Sequence, residues 1–229
     1  EIGSGLVGSE MCIRDRYCIV PYTRGKERSR RPKDIIDEVE KLAQNGYVEV
    51  TLLGQNVNAY GKDFTDFNYT FSNLLEDLNQ TSIKRIRFTT SHPRDLDDAT
   101  IEAMALGGNI MPHLHLPVQS GSNEVLKRMN RKSNGEGIRK LIEKLRKEIP
   151  EVIIRTTVMV GFPGETTEDF DELYEFIQET KFDKMGAFSY SKEENTPAEK
   201  LKEQIHPATK KSRYNKIMQL SLIHISEPT

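Results

Sequence analysis

VIIRTTVMVGFPGETTEDFDELYEFIQET, residues 152–180, is the stretch whose reading decides the fold. Residues 152–160 form an apolar, β-branched run of strand length. Gly161-Phe162-Pro163-Gly164-Glu165 follows as a turn, and residues 168–180 have helical spacing, with Thr166 and Asp169 placed as a capping pair. Working outward, the same unit recurs. Ile35, Ile36, Val39, Leu42 and Ala43 make one apolar stripe of a helix that begins at Asp34 and stops at Asn45-Gly46. A buried strand is expected over 47–53, a helix over 71–78, a strand over 86–90, a helix over 97–106 and a strand over 113–118. Short helices over 124–129 and 137–148 lead into the quoted strand, and a strand over 185–190 and a helix from about 207 close the series. Such alternation implies parallel βαβ units, hence an α/β fold that is a doubly wound sheet or a complete or partial barrel. In either architecture the ligand site lies at the carboxyl ends of the strands. The unusual polar segments fall there: Gly54-Gln55-Asn56, Thr90-Ser91-His92-Pro93, Gln119-Ser120-Gly121 and the 161–165 turn.

A chain of 229 residues suffices for one sizeable domain with a self-supporting core. A net charge of −2 excludes a polycation built to coat nucleic acid, so any such contact must come from a local patch. No apolar stretch reaches membrane-spanning length and no cleavable signal pattern is present, so the expectation is a cytoplasmic protein with no membrane partner. Two cysteines cannot make a secreted disulfide framework.

The two ends share one nucleotide string. Reading gtg ggc tcg gag atg tgt ata aga gac ag gives Val7-Gly8-Ser9-Glu10-Met11-Cys12-Ile13-Arg14-Asp15 and the start of the Arg16 codon. Its reverse complement, ctg tct ctt ata cac atc tcc gag ccc ac, reads Leu220-Ser221-Leu222-Ile223-His224-Ile225-Ser226-Glu227-Pro228-Thr229. The expectation is that 1–16 and 220–229 derive from a transposon-type library adapter, with 1–6 from its upstream part, and that 17–219 is native sequence cut at both ends. Cys12 and His224 then drop out of the chemistry.

Tyr17-Cys18-Ile19-Val20-Pro21-Tyr22-Thr23-Arg24-Gly25, followed by Ser29-Arg30-Arg31-Pro32, resembles the end of the cluster motif of radical S-adenosylmethionine methylthiotransferases. In that family three cysteines spaced C-x3-C-x2-C hold a 4Fe-4S cluster and leave one iron open for the amino and carboxylate groups of S-adenosylmethionine. Cys18 aligns with the third, the metal ligand. The first two would stand at 11 and 15, where this chain has Met11 and Asp15, and Cys12 is out of register. One cysteine cannot complete such ligation.

Three further blocks resemble the tRNA-modifying, MiaB-type branch: Leu52-Leu53-Gly54-Gln55-Asn56-Val57-Asn58-Ala59-Tyr60, Arg87-Phe88-Thr89-Thr90-Ser91-His92-Pro93 and His115-Leu116-Pro117-Val118-Gln119-Ser120-Gly121-Ser122. The likeness covers nearly all of 17–219, but its character changes after Leu126-Lys127-Arg128-Met129-Asn130-Arg131-Lys132. Ile154-Arg155-Thr156-Thr157-Val158-Met159-Val160 and residues 182–197 look more like the branch that methylthiolates an aspartate of a small-subunit ribosomal protein. The tRNA branch more usually has an acidic residue near Thr157. A chimeric junction within 126–132 is an open alternative.

The resemblance implies a partial (β/α)6 TIM-like barrel of the radical S-adenosylmethionine type. It gives the rim a purpose: Gly54, Gly121, Gly161 and Gly164 permit close backbone approach, while Gln55, Asn56, Ser91 and Gln119 can hydrogen-bond a polar cofactor without adding charge. Residues 160–165 are similar to the segment that lies beside the adenine in this family. Arg155 is a buried or ligand-facing charge serving the cofactor, or a structural ion pair within the barrel. Arg24, Lys26, Arg28, Arg30, Arg31 and Lys33 form a basic strip, read as a solvated loop or as a phosphate-contacting surface for the substrate. His92 is expected to position ligands, because the chemistry belongs to the cofactor's radical. His113 and His115 are expected to face the interior structurally, since no third metal ligand is evident.

The expected parent is a methylthiotransferase that inserts sulfur and methylates it, using a 4Fe-4S cluster, S-adenosylmethionine, a second 4Fe-4S cluster in an N-terminal domain and an electron donor such as flavodoxin. Its expected substrate is the isopentenyl-modified adenosine beside a tRNA anticodon, with the ribosomal-protein aspartate as the alternative. As printed, the chain is expected to be inactive for want of two cluster cysteines. Readings of other classes are a barrel enzyme that binds phosphate at its glycine-rich loops and a non-catalytic RNA-binding barrel domain using the basic strip.

Overall fold

A computed structural model of the chain describes residues 15–24, 28–89 and 91–226. Met11, Cys12, Gly25, Lys26 and Thr90 lie outside the described residues, as do the side chains of Arg24 and His224. In chain order the elements are α1 (Val20–Arg24), α2 (Pro32–Gln44), β1 (Glu49–Leu52), a 3-10 turn (Val57–Ala59), α3 (Phe71–Leu78), β2 (Arg85–Phe88), α4 (Asp98–Ala105), β3 (His113–His115), α5 (Asn123–Arg128), α6 (Gly135–Glu148), β4 (Ile153–Val160), α7 (Thr167–Thr180), β5 (Lys184–Ser189), a 3-10 turn (Pro197–Lys200) and α8 (Pro207–Ser226).

All strand pairs are parallel. β1 pairs with β2, Glu49 opposite Arg85 and Leu52 opposite Phe88. β3, β4 and β5 form a second set in that order. A bridge between Ile86 and Ile110, and a 3.0 Å hydrogen bond from Ser91 N to His115 O, join the two sets, so the strands run 1-2-3-4-5 around a partial TIM-like barrel. Among the described residues there are five strands, one fewer than the six expected.

β4 shows how the sequence builds two faces. Ile154, Thr156, Val158 and Val160 are buried toward the helices, and the alternate set, Ile153, Arg155, Thr157 and Met159, lines the more open inner face. α7 begins with the expected capping box, Thr166 and Asp169 bonding reciprocally, and Asp169 also accepts from Ser122 Oγ at 2.6 Å. β3 is shorter than the expected 113–118 because Pro117 has no N–H, Val118 N turns to Thr156 Oγ1 and Gln119 adopts φ +69°. α2 starts at Pro32 rather than Asp34, since proline suits the first helical turn.

One core cluster extends from Ile35 to Leu220 and includes Leu116, Leu126 and Ile154, so the segments on both sides of 126–132 share it. α8 continues through residues 220–226, and Leu220 and Ser221 are buried. A second cluster of Val125, Met129, Phe162, Tyr190 and Ala198, with Tyr17, Met159 and Leu201 packed on it, sits over the carboxyl ends of β4 and β5.

Candidate functional site

The segment bearing Cys18 is strapped across this second cluster. Arg16 N donates to Met129 O at 3.0 Å, and Ala198 N donates to Arg16 O at 2.8 Å. The Tyr17 ring meets Phe162 edge-on with centroids 6.2 Å apart, and Phe162 meets Tyr190 at 5.3 Å. Beside Cys18 lies an ion pair that sequence reasoning missed: Arg131 Nη1 donates to Asp15 Oδ2 at 2.7 Å, with side chains 1% and 7% exposed. Tyr17 OH donates to the same carboxylate oxygen, and Arg131 Nη2 donates to Pro117 O. Burial pushes the Asp15 carboxyl up against the pull of Arg131 and Tyr17.

These residues do not fit the cluster that the family motif implies. Cys18 is one thiolate, position 15 holds a carboxylate committed to Arg131, and among the described residues no group of three His, Cys, Asp or Glu side chains converges to hold a metal ion.

The rim past β1 and β2 is polar and partly unsatisfied. Asn56 is buried and committed: its Nδ2 donates to Asp95 Oδ2 at 2.8 Å and its Oδ1 accepts from His92 N at 3.4 Å. Arg94 and Lys62 also bond Asp95; burial raises that carboxyl, but these hydrogen bonds outweigh it and hold it well below the usual range. His92 Nδ1 accepts from Arg94 N, and burial, then Arg131 and Arg94, pushes the imidazole down to about 3. His92 is therefore neutral and fixed. Beside it, Ser91 Oγ and both amide atoms of Asn58 are buried without a partner in the structure. These orphaned atoms are what a polar ligand would satisfy. Asn58 was missed in the sequence, where only its neighbours Gln55 and Asn56 were singled out. Gly54 and Gln55 follow β1 on this same rim, half-buried.

The glycines divide by environment. At Gly121 a Cβ would strike the Phe176 ring of α7, so its missing side chain serves helix packing. Gly161 has φ +71° and would strike Lys210, and Gly164, φ +82°, would strike Arg128 and Glu203. The turn they frame is closed by Glu165, whose Oε1 accepts from Gly161 N at 2.9 Å and from Arg213 Nη1 at 2.6 Å. Gln119 is half-buried, its backbone bonded to Thr157 and Met159 of β4.

Arg155 lies exposed on the inner face, contrary to a buried setting, and has no ion pair among the described residues. Its register partner is His115, whose Nε2 lies 3.1 Å from Thr157 Oγ1 and whose imidazole is pushed down to about 4 by burial and by Arg155. The basic strip is not contiguous with this face. Arg30 is paired with Glu38 at 2.7 Å, and Arg31 pairs with Asp66 at 2.8 Å while stacking over Phe64 and Phe67. With exposed Arg28, they line a surface cavity of about 570 Å³ that also carries Asp34, Asp63 and Asp66.

The chain matches the Radical SAM superfamily over residues 16–177. It is 55% identical over 204 residues to the tRNA-2-methylthio-N(6)-dimethylallyladenosine synthase of Bacillus cytotoxicus, covering 89% of this chain and 40% of that protein. The protein of the same description from Bacillus subtilis is 54% identical over 201 residues, covering 88% and 40%. The chain thus spans about two fifths of the length of the curated relatives it matches. Among solved structures, the radical S-adenosylmethionine methyltransferase TsrM from Kitasatospora setae, with cobalamin and a 4Fe-4S cluster bound, superposes with TM-score 0.68 at 16% identity, covering 85% of this chain and 38% of that one. The superfamily works with a 4Fe-4S cluster and S-adenosylmethionine. With the parallel partial barrel, the polar rim and the match over 16–177 in agreement, the chain belongs to the Radical SAM superfamily.

Proposed function

We propose that this chain is the radical S-adenosylmethionine portion of a methylthiotransferase acting on the dimethylallyl-modified adenosine of tRNA. The observation that carries the reading is the 55% identity to a synthase of that description over 204 residues, a length that in 229 residues must cross positions 126–132. The residues suit a positioning scaffold: neutral His92, orphaned Ser91 and Asn58, and a glycine turn locked by Glu165. The cluster would supply the radical chemistry; no residue described here takes its place. In this reading Gly54, Gln55, Gln119 and the 161–165 turn border the S-adenosylmethionine seat, the parent works in the cytoplasm, and a flavodoxin-type protein reduces it. Residues 1–16 and 220–229 are proposed to be foreign to the native enzyme. Aspartate methylthiolation is the second reading, favoured by Ile154-Arg155-Thr156-Thr157 and the 182–197 segment.

Residues 17–219 grafted into the frame of the Bacillus subtilis relative, in cells lacking that enzyme, test this. Recovery of 2-methylthio-dimethylallyladenosine in tRNA digests is the expected result. A methylthiolated ribosomal aspartate instead would favour the second reading, and a cluster-loaded graft that yields neither would sink both. The printed chain, reconstituted anaerobically, should bind no stoichiometric 4Fe-4S cluster; the M11C/D15C variant should bind one.

A further inference from the structure

The segment before α2 and the loop after β1 are stitched together at the β1 side of the molecule. Ser29 N donates to Asp63 Oδ2 at 2.8 Å, Gly61 N donates to Ser29 Oγ at 3.0 Å and Tyr60 OH donates to Arg30 O at 2.8 Å. These bonds hold the walls of the surface cavity of about 570 Å³, a volume in the usual range of small-ligand sites. Its described lining is formally neutral, with Arg28, Arg30 and Arg31 matched by Asp34, Asp63 and Asp66. A phosphate seat needs an excess of cations, which this lining does not offer. Several of these groups are already committed: Arg30 to Glu38, Asp63 to Ser29 N, and Arg31 Nη1 to Asp66. One face of the Arg31 guanidinium lies on Phe64 and Phe67, 5.5 and 5.1 Å from their centroids, and those two rings stack on each other at 4.7 Å. The Arg31 side chain is still 53% exposed, so its opposite face is open. Asp34 and Arg28 are exposed and have no side-chain partner among the described residues. The same loop reaches the polar rim, because Lys62 bonds Asp95, which in turn accepts from the Asn56 amide beside His92.

We propose that this cavity reads one unpaired base of an RNA strand: the base stacks on the open face of Arg31, and Asp34 and Arg28 offer its pairing edge an acceptor and donors. The proposal rests on the tRNA reading above and gives that substrate a second contact, beside the rim and separate from the place where its adenosine reacts. What the cavity leaves free decides the chemistry of the ligand. A guanidinium neutralised by a carboxylate, with one face already covered, has its other face left for stacking. A neutral lining suits an uncharged ring, and every base carries a donor next to an acceptor on its pairing edge. Because Arg31 already lies flat on two rings, little further freedom is lost when a base covers its other side. The arginines at 28–31 then serve base recognition, not the phosphate contact that their run in the sequence suggests.

Fluorescence anisotropy on the full chain, with a labelled single-stranded RNA containing one dimethylallyladenosine, tests this beside versions made abasic at each other position in turn. One abasic version should bind the unaltered chain about tenfold more weakly than the intact RNA. R31A and R31K should each weaken the intact RNA by about the same factor and leave that abasic version unchanged, because lysine keeps the charge and loses the plane. The log-log salt slope should not move in either variant, since no phosphate contact is removed. D34N, which turns an acceptor into a group that also donates, should change which base is preferred at that position. Far-ultraviolet circular dichroism checks that each variant folds, which the exposure of both side chains favours. Full recovery of binding in R31K, or a slope lowered by about 0.7 in R31A, the value for one phosphate of a single strand, would give the cavity to the backbone and overturn base reading. An unchanged base preference in D34N overturns the edge contact. RNA binding indifferent to both Arg31 variants, or absent from the unaltered chain at low salt, overturns the whole seat. The graft experiment decides the tRNA reading separately, so the seat can fail while that reading stands.

Discussion

The turns after β2 and after β4 solve the same problem, ending a parallel strand at the rim, in opposite ways. After β4 the turn is closed by a buried ion pair: Glu165 Oε1 accepts from Gly161 N and Arg213, and Arg213 also donates to the Glu165 and Thr166 carbonyls, while Glu165 Oε2 stays buried without a partner. After β2 the turn is tied to the β1 loop through Asn56, His92 and Asp95, yet Ser91 Oγ and the Asn58 amide stay buried and unpaired. A buried polar atom without a partner costs about 1–3 kcal/mol, so it persists where a ligand satisfies it or where geometry forbids removal. The first turn is fastened by an ion pair, and the second leaves more of its hydrogen-bonding capacity over for something else.

The comparison breaks most readily at Glu165. E165A leaves Arg213 nearly buried without its counter-charge and should cost about 3–5 kcal/mol in urea denaturation; a loss below about 1 kcal/mol would mean the turn does not depend on this pair. Acid should attack the other turn. His92 stays neutral in the folded chain down to about 3, while the unfolded chain takes up its proton below 6.5, so unfolding binds the extra proton and stability falls as pH drops through that window. At pH 4 the loss is about 3 kcal/mol, and H92Q should flatten this limb of the stability curve. G161A should cost more than about 1 kcal/mol, because alanine resists φ +71° and its methyl meets Lys210. S91A has the smallest expected effect, within about 0.5 kcal/mol, since no hydrogen bond is lost. A thermal shift equivalent to a larger loss would show that Ser91 Oγ has a partner inside the protein.

Much of the scaffold was legible because it depends on local rules. The 152–160 run became β4, Thr166 and Asp169 capped α7, and Asn45-Gly46 ended α2. What escaped the sequence depends on pairings between distant residues. Arg131 meets Asp15 across 116 positions and Arg213 meets Glu165 across 48, and no spacing rule links such partners. Gly121 read as a place for close ligand approach, yet Phe176 fills that space from a helix whose docking angle no local pattern encodes. The two faces of β4 were likewise hidden, because an apolar β-branched run looks alike whether both sides are covered or one lines an open barrel. Among the site residues, the strand-end segments did fall on one rim; which atoms remain free there became visible only with hydrogen bonds assigned.

The Glu165–Arg213 pair also sets an order of events during synthesis. A ribosome delivers Glu165 48 residues before Arg213, so the carboxylate is made while its counter-charge is still untranslated. Until then Glu165 must stay hydrated, the turn after β4 cannot take its final form, and the platform under Tyr17 and Cys18 has to wait for α8. The helix that follows the barrel is therefore the latch on the segment that precedes it.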